Sequence, residues 1–165
     1  MATYAISDIH GCYDQFMELL NKISPTDTDK IYILGDIADR GPKSAKMFQW
    51  AIDEAPDSFH FMLGNHELMI LENVRDDDLD YHEVWFSTWS YNGGLDTLDQ
   101  LEEEVEEDWI KQRFIPWLRK LRPWTEVIIN DEPILLVHAG FSLMKLFPES
   151  KVFPDIWPKD KTERA

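Results

Sequence analysis

An α/β fold with a parallel sheet is predicted by two features of the sequence. Strand-like and helix-like segments alternate through the first half with short connections, which is the pattern of βαβ units. The strand-like runs then end in residues that bind metals or move protons, as expected where the carboxyl ends of strands form a ligand crevice. The 165 residues suit one compact domain spanning 1–165. A hydrophobic content of 44% with 13% aromatics is enough apolar surface for a packed core and too much for a disordered chain.

Tyr4-Ala5-Ile6 is a short apolar run read as a buried first strand. Phe16, Leu19, Leu20 and Ile23 recur at helical spacing until Pro25 closes the helix. Ile31-Tyr32-Ile33-Leu34 is a second strand, stopped by Gly35-Asp36. Ser44 to Ala55 reads as a helix, with Met47, Phe48 and Ile52 on one side and Pro56 beyond its end. Phe59 to Leu63 is a third strand, and His66 to Val74 a further helix. Asp76-Asp77-Asp78 reads as a solvated loop, and Asn92-Gly93-Gly94 as a chain break. Two helices are expected over about 96–106 and 108–121, the second kinked or broken at Pro116. The acidic residues Glu102 to Glu104 and Glu106 to Asp108 read as a solvated face and connection. Val127-Ile128-Ile129 and Ile134-Leu135-Leu136-Val137, separated by Asn130-Asp131-Glu132-Pro133, read as a hairpin of apolar strands.

Charge and cysteine content narrow the function. Sixteen basic against 32 acidic residues give a net charge of −16, which repels nucleic-acid backbones and anionic lipid, so neither is an expected partner. A phosphorylated substrate remains compatible where bound cations invert the local sign. A single cysteine, Cys12, excludes an internal disulfide framework and fits a reducing, cytoplasmic setting. Ser7-Asp8 follow the first apolar run at once, leaving no room for a signal peptide, and no apolar run is long enough to span a bilayer.

The chemistry gathers in four blocks: Asp8-Ile9-His10-Gly11, Gly35-Asp36-Ile37-Ala38-Asp39-Arg40-Gly41, Gly64-Asn65-His66-Glu67 and His138-Ala139-Gly140. Asp8 and His10 are two apart, so strand alternation is expected to project them to the same side of an extended segment. Carboxylate, imidazole and amide oxygens together suit Mn, Fe or Zn better than Ca. The stretch from Gly35 to Ser44 is not a nucleotide phosphate loop, because Pro42 stands where the loop lysine would be. A helical zinc-protease motif fails at Ile70, and Cys12 has no nearby arginine to serve it as a nucleophile.

These four blocks resemble the signatures of the PPP-type, calcineurin-like metallophosphoesterases, over positions from about 4 to 140. Trp89-Ser90-Tyr91-Asn92-Gly93-Gly94, followed by Thr97-Leu98, is similar to a block of the bacterial and phage branch that includes the bacteriophage lambda phosphatase. The resemblance implies a β-sandwich flanked by helices and a two-metal site, with Mn as the expected metal and Fe, Zn or Mg as alternatives. It implies that Asp8 and His10 hold one ion, that Asn65 and His138 hold the other, and that Asp36 bridges both. His66 would then be the general acid, oriented by Asp39, and Arg40 would grip the phosphate. A further ligand histidine of the family has no counterpart here, since the histidines are 10, 60, 66, 82 and 138. The chain therefore reads as shortened at its C-terminus, and the ion of Asp8 and His10 is expected to bind first. Asp155-Ile156-Trp157 only faintly resembles the family's tryptophan segment. His60 and His82 read as structural or exposed, and Trp89 as the tryptophan best placed to wall the cleft. The expected activity is a metal-dependent Ser/Thr or dual-specificity phosphoprotein phosphatase, with a phosphoprotein or small phosphoester as partner. The alternatives are a symmetrical dinucleoside tetraphosphatase and a non-catalytic metal- or phosphate-binding homologue.

Overall fold

The computed structural model describes residues 1–75, 78, 79, 84 and 87–139. The expectations for the loop at 76–78, for His82 and for 155–157 therefore lie wholly or partly outside the described residues. At the centre is a parallel three-stranded sheet in the order β1 (Thr3–Ile6), β2 (Lys30–Ile33), β3 (Phe59–Phe61). The register sets Ala5 opposite Tyr32 and Tyr32 opposite His60. Parallel neighbours need crossovers, and these are α1 (Tyr13–Ile23) and α2 (Ser44–Gln49). Central β2 is the buried strand, with Ile31 and Ile33 fully covered. β1 differs from the expected buried strand: among the described residues it pairs only with β2, and Thr3 and Ala5 are exposed as on an edge.

The helices follow the apolar spacing but end where backbone chemistry dictates. Left-handed Ser24 closes α1 by donating its N–H to the Leu20 carbonyl. The helix expected to reach Ala55 is α-helical only to Gln49 and then widens into a π turn, Trp50–Glu54. Ala55 must be extended before Pro56, so the π turn ends the helix while turning Trp50 into the core, edge-on to Phe16 and Phe59 at 5.2 Å each. After β3 come α3 (Asn65–Glu72) and a short ladder of β4 (Val74–Arg75) with β5 (Asp78–Leu79). Then follow a 3₁₀ turn (Ser90–Asn92), α4 (Gly94–Glu104), α5 (Glu107–Trp109), a π turn (Ile110–Phe114) and α6 (Ile115–Leu118). Pro116 neither breaks nor bends the chain out of helix. The wider turn before it, closed by the Ile115 N–H on the Ile110 carbonyl, relieves the ring's clash with the preceding turn. The acidic residues Glu102 to Glu104 and Glu106 to Asp108 are exposed, as expected.

The hairpin is longer than its apolar runs, comprising β6 (Trp124–Ile129) and β7 (Glu132–Val137). Its two-residue loop, Asn130-Asp131, has φ of 53° and 64°, the type I′ geometry that suits strand twist. Arg122, just before β6, accepts the Leu63 N–H at 2.9 Å and so ties the hairpin to the end of β3. The strands are apolar but not all covered: Val127 is buried, while Ile128 is 65% exposed. Among the described residues no helix is long and apolar enough to cross a membrane.

Asp29 locks the start of the sheet. Its carboxylate accepts the backbone N–H groups of Ala2 and Thr26 and the Thr26 hydroxyl, which hold it down to about 2. A carboxyl lowered on folding contributes stability above its unfolded value, and that contribution is lost as pH falls through the folded one. The wild-type urea midpoint is therefore expected to drop between about pH 4 and pH 2, and Asp29→Asn should flatten that limb. An identical acid limb in the variant would refute the assignment.

Candidate metal centre

The parallel sheet delivers three of the four sequence blocks to one edge, and the β6–β7 hairpin brings His138 of the fourth beside them. Beyond β1 and β2 the two loops run side by side, with the N–H groups of His10 and Gly11 on the carbonyls of Asp36 and Ile37 at 3.0 and 2.8 Å. The ends of β2 and β3 come so close that a Cβ at Gly35, whose φ is +105°, would lie 2.3 Å from the Gly64 nitrogen. Only glycine permits that approach.

Backbone strain gathers in the same place. Ser24 and the hairpin pair Asn130 and Asp131 have positive φ as a cap and a turn require. Among the described residues, the other non-glycine residues with positive φ are Asp8, His10, Asp36, Asp39 and Arg40, at 57°, 46°, 54°, 68° and 67°. Strain held by five site residues marks a functional region rather than a folding device. It also corrects the expectation for Asp8 and His10. β1 ends at Ile6, so these side chains are brought together by a left-handed turn and not by strand alternation.

Asp36 is the centre of the array. Its Oδ2 lies 3.3 Å from His138 Nε2, 3.8 Å from His66 Nε2 and 3.9 Å from His10 Nε2. Asp8 Oδ1 is 3.9 Å from His10 Nε2, and Asn65 Oδ1 is 3.0 Å from His138 Nε2. Ligand atoms of Asp8, Asp36 and His138 lie within 4.8 Å of one another, as do those of His10, Asp36 and His66. Ligands held about 2.0–2.2 Å from one ion are separated by no more than about 4.4 Å, so such groupings are close to the spacing a divalent cation needs. The groupings differ from the expected pairs, since Asp8 groups with His138, and His10 with His66, around the shared Asp36. The chemistry of the donors agrees. His10 Nδ1 donates to the Ala38 carbonyl at 2.9 Å, which leaves the Nε2 lone pair facing the cluster, the usual preparation of a ligating imidazole. His138 Nδ1 is buried without a hydrogen-bond partner among the described residues.

Burial pushes the Asp36 carboxyl up, but hydrogen bonds from His138 and from the His66 N–H outweigh it and hold the group below its ordinary value. The His138 imidazole is raised by the same contact with Asp36, against its own burial. Beneath them lies a residue that the sequence reading quoted within a block without assigning it a part. Glu67 is fully buried and accepts the N–H groups of Asp36 at 2.8 Å and of Ile37 and Gly64 at 2.9 Å. It binds the end of β2 to the start of α3. Burial and the charge of Asp36 push it up to about 7, against those three donors. Its position three residues after Gly64 is the one local signal, a capping-box spacing. Gln100 was also missed: it accepts the Ser44 N–H at 2.6 Å and donates to the Gly41 carbonyl at 3.3 Å, stapling α4 to the loop after β2.

The remaining sequence candidates form one chain of contacts. His66 is fully buried, with Nδ1 2.6 Å from Asp39 Oδ2 and Nε2 3.0 Å from Arg40 Nη2. Arg40 Nη1 lies 2.9 Å from His10 Nε2. Arginine can only donate, so both imidazoles present bare Nε2 atoms to it and keep their protons on Nδ1. All eight sequence candidates are thus brought together. Cys12 is half-buried at the start of α1, and exposed His60 stacks on Tyr32 at 4.8 Å, both outside this cluster.

Comparison with known proteins yields consistent matches. A family model described as calcineurin-like phosphoesterase matches residues 1–164. The chain is 32% identical over 143 residues to the symmetrical bis(5'-nucleosyl)-tetraphosphatases of Salmonella arizonae and Salmonella typhimurium, covering 86% of this chain and 44% of each of those proteins. It therefore spans less than half the length of these curated relatives. A serine/threonine phosphatase structure from Saccharomyces cerevisiae superposes with a TM-score of 0.52 at 18% identity, over 85% of this chain and 41% of that one, a likeness of fold.

Proposed function

This chain belongs to the calcineurin-like phosphoesterase family and has its α/β fold, and we propose that it hydrolyses the central phosphoanhydride of dinucleoside tetraphosphates. One observation carries the chemistry: three imidazole Nε2 atoms surround one oxygen of Asp36 at 3.3–3.9 Å, with the Arg40 guanidinium beside them. The nucleotide substrate is supported by the tetraphosphatase relatives. The Ser/Thr phosphatase expected first is the less supported reading. We read 1–165 as one metallophosphoesterase domain and place the reaction in the cytoplasm, where a lone thiol stays reduced.

In this reading Asp8, His10, Asp36, Asn65 and His138 hold two divalent cations, Mn being the first choice. Bound there, such ions supply positive charge at the phosphoryl oxygens and make water nucleophilic near neutral pH. Arg40 grips phosphate oxygens through its planar fork, which lysine cannot imitate. His66 Nε2, which accepts from Arg40 in this structure, is freed when Arg40 turns to the phosphate. Protonated there as well as at Nδ1, the ring gives the Nε2 proton to the leaving oxygen as its bond to phosphorus breaks and the bond from water forms. Asp39 keeps the ring oriented and offsets the imidazolium charge.

One observation favours the second reading, a phosphoprotein phosphatase of the bacterial and phage branch. The Trp89 to Gly94 block that resembles that branch packs directly on Asp39 and Arg40: a Cβ at Gly93 would lie 2.7 Å from the Arg40 nitrogen. Incubation with Mn and either diadenosine tetraphosphate or a phosphoserine peptide separates the two. We expect two ADP per tetraphosphate and slower release of phosphate from the peptide. Rapid peptide hydrolysis without ADP would establish the second reading. Turnover of neither would refute both and leave the non-catalytic binding homologue.

A further inference from the structure

We propose that Trp89 is a positioning residue for the Asp39–His66 pair, its indole N–H fixing the carboxylate that holds the proton-donating ring. The inference rests on the general-acid reading above. Trp89 is fully buried, and its Nε1 lies 2.8 Å from Asp39 Oδ2, the same oxygen that receives the His66 Nδ1 proton at 2.6 Å. Asp39 is itself fully buried, and its Oδ1 has no hydrogen-bond partner among the described residues. Among the described residues, every polar contact that orients the carboxylate therefore enters through one oxygen. Rotation about the carboxyl torsion is soft, so a single bond to His66 leaves its plane poorly defined. A second donor to the same oxygen, aimed from a rigid ring, defines it.

The indole is rigid because the chain around it is wound onto it. The N–H groups of Asn92 and Gly94 both bond the Trp89 carbonyl, at 2.9 and 3.0 Å, and a Cβ at Gly94 would lie 2.5 Å from the ring. The glycine is thus a cradle for the indole. Asn92 Nδ2 bonds the Thr88 carbonyl at 2.7 Å and closes the same turn from the other side. A buried indole must find an acceptor for its N–H, and any backbone carbonyl would serve packing alone. This one bonds a carboxylate oxygen that also serves the reacting imidazole, a charge-assisted contact of the stronger kind.

The test is leaving-group dependence, measured on the Mn-loaded full chain with Trp89→Phe, which keeps a ring in the cradle and deletes the N–H. An alkyl phosphate needs its leaving oxygen protonated, whereas 4-nitrophenyl phosphate largely does not. The variant should lose about 10- to 100-fold in kcat on the alkyl ester and less than about threefold on the nitrophenyl ester, with KM and Mn stoichiometry unchanged. In an Asp39→Asn background the same substitution should add almost nothing, since both act through one carboxylate. Equal losses on the two esters, loss of bound Mn, or no loss at all would overturn the proposal. His66→Asn is the control. If it shows the steep dependence and Trp89→Phe does not, this inference fails and the general-acid reading stands; if His66→Asn itself shows none, both fail. Should Trp89→Phe not fold, indole-¹⁵N labelling of the wild type decides. The Trp89 N–H signal should exchange slowly and move on Asp39→Asn, and an unmoved signal would overturn the proposal.

Discussion

His66→Asn is expected to lower kcat for an alkyl phosphoester by about 10²- to 10⁴-fold while the protein still takes up its cations. That loss corresponds to about 3–5 kcal/mol of transition-state stabilisation. The imidazole is fully buried and anchored at Nδ1 by Asp39, so only Nε2, which here accepts from Arg40, faces the cluster and could carry a proton to a leaving oxygen. An asparagine amide can fill much of that volume and still donate a hydrogen bond, but it cannot transfer the proton. Steady-state rates with an alkyl ester, alongside calorimetric titration of Mn, separate the chemical step from assembly of the centre. Unchanged rates would remove His66 from the acid role, and loss of Mn uptake would make it a ligand instead.

The second large effect concerns stability. Glu67→Ala should cost on the order of 3–6 kcal/mol, because it strands three buried N–H donors, each worth about 1–3 kcal/mol when left unpaired. The donors belong to Asp36, Ile37 and Gly64, so the same change releases the peptide that positions Asp36 and should weaken Mn binding as well. Glu67→Gln keeps one acceptor oxygen but turns an NH₂ toward N–H donors, and should fall between the two. The pH dependence has a definite sign in metal-stripped protein. Burial raises this carboxyl to about 7, so between its unfolded value of 4.5 and pH 7 the folded state holds the proton that the unfolded state has released. Stability then falls as pH rises through that window, and Glu67→Ala should remove the slope. A wild-type midpoint that rises across the same window in urea titrations would contradict the assignment.

Much of the site was legible because its chemistry lies in short strings at the ends of apolar runs. Asp8, His10, Asp36, Asn65 and His138 could be named as candidates before any contact was known, their parts implied by the family resemblance of the blocks, and the structure brings them together. The parallel sheet that gathers three of their blocks follows from alternation of strand and helix periods. Substrate class was less legible. The metal motifs do not encode it, and the relatives shifted the favoured reading from phosphoprotein to dinucleoside tetraphosphate.

Local pattern also set the helical faces, the acidic surface of 102–108 and the hairpin, whose Asn130-Asp131 loop takes the positive φ that such a turn requires. What it could not supply were the agreements between distant parts of the chain. Glu67 reads as one more acid in a helical first turn, yet its targets include Asp36, 31 residues away. Trp89 reads as a wall of the cleft, yet it is fully buried and its N–H serves Asp39, 50 residues distant. Asp and His tolerate the left-handed region better than most residues, but nothing local requires Asp8, His10, Asp36, Asp39 and Arg40 all to adopt it. Periodicity and propensity act over a few residues, whereas strain of that kind persists only when packing and buried hydrogen bonds from elsewhere in the fold outweigh its cost.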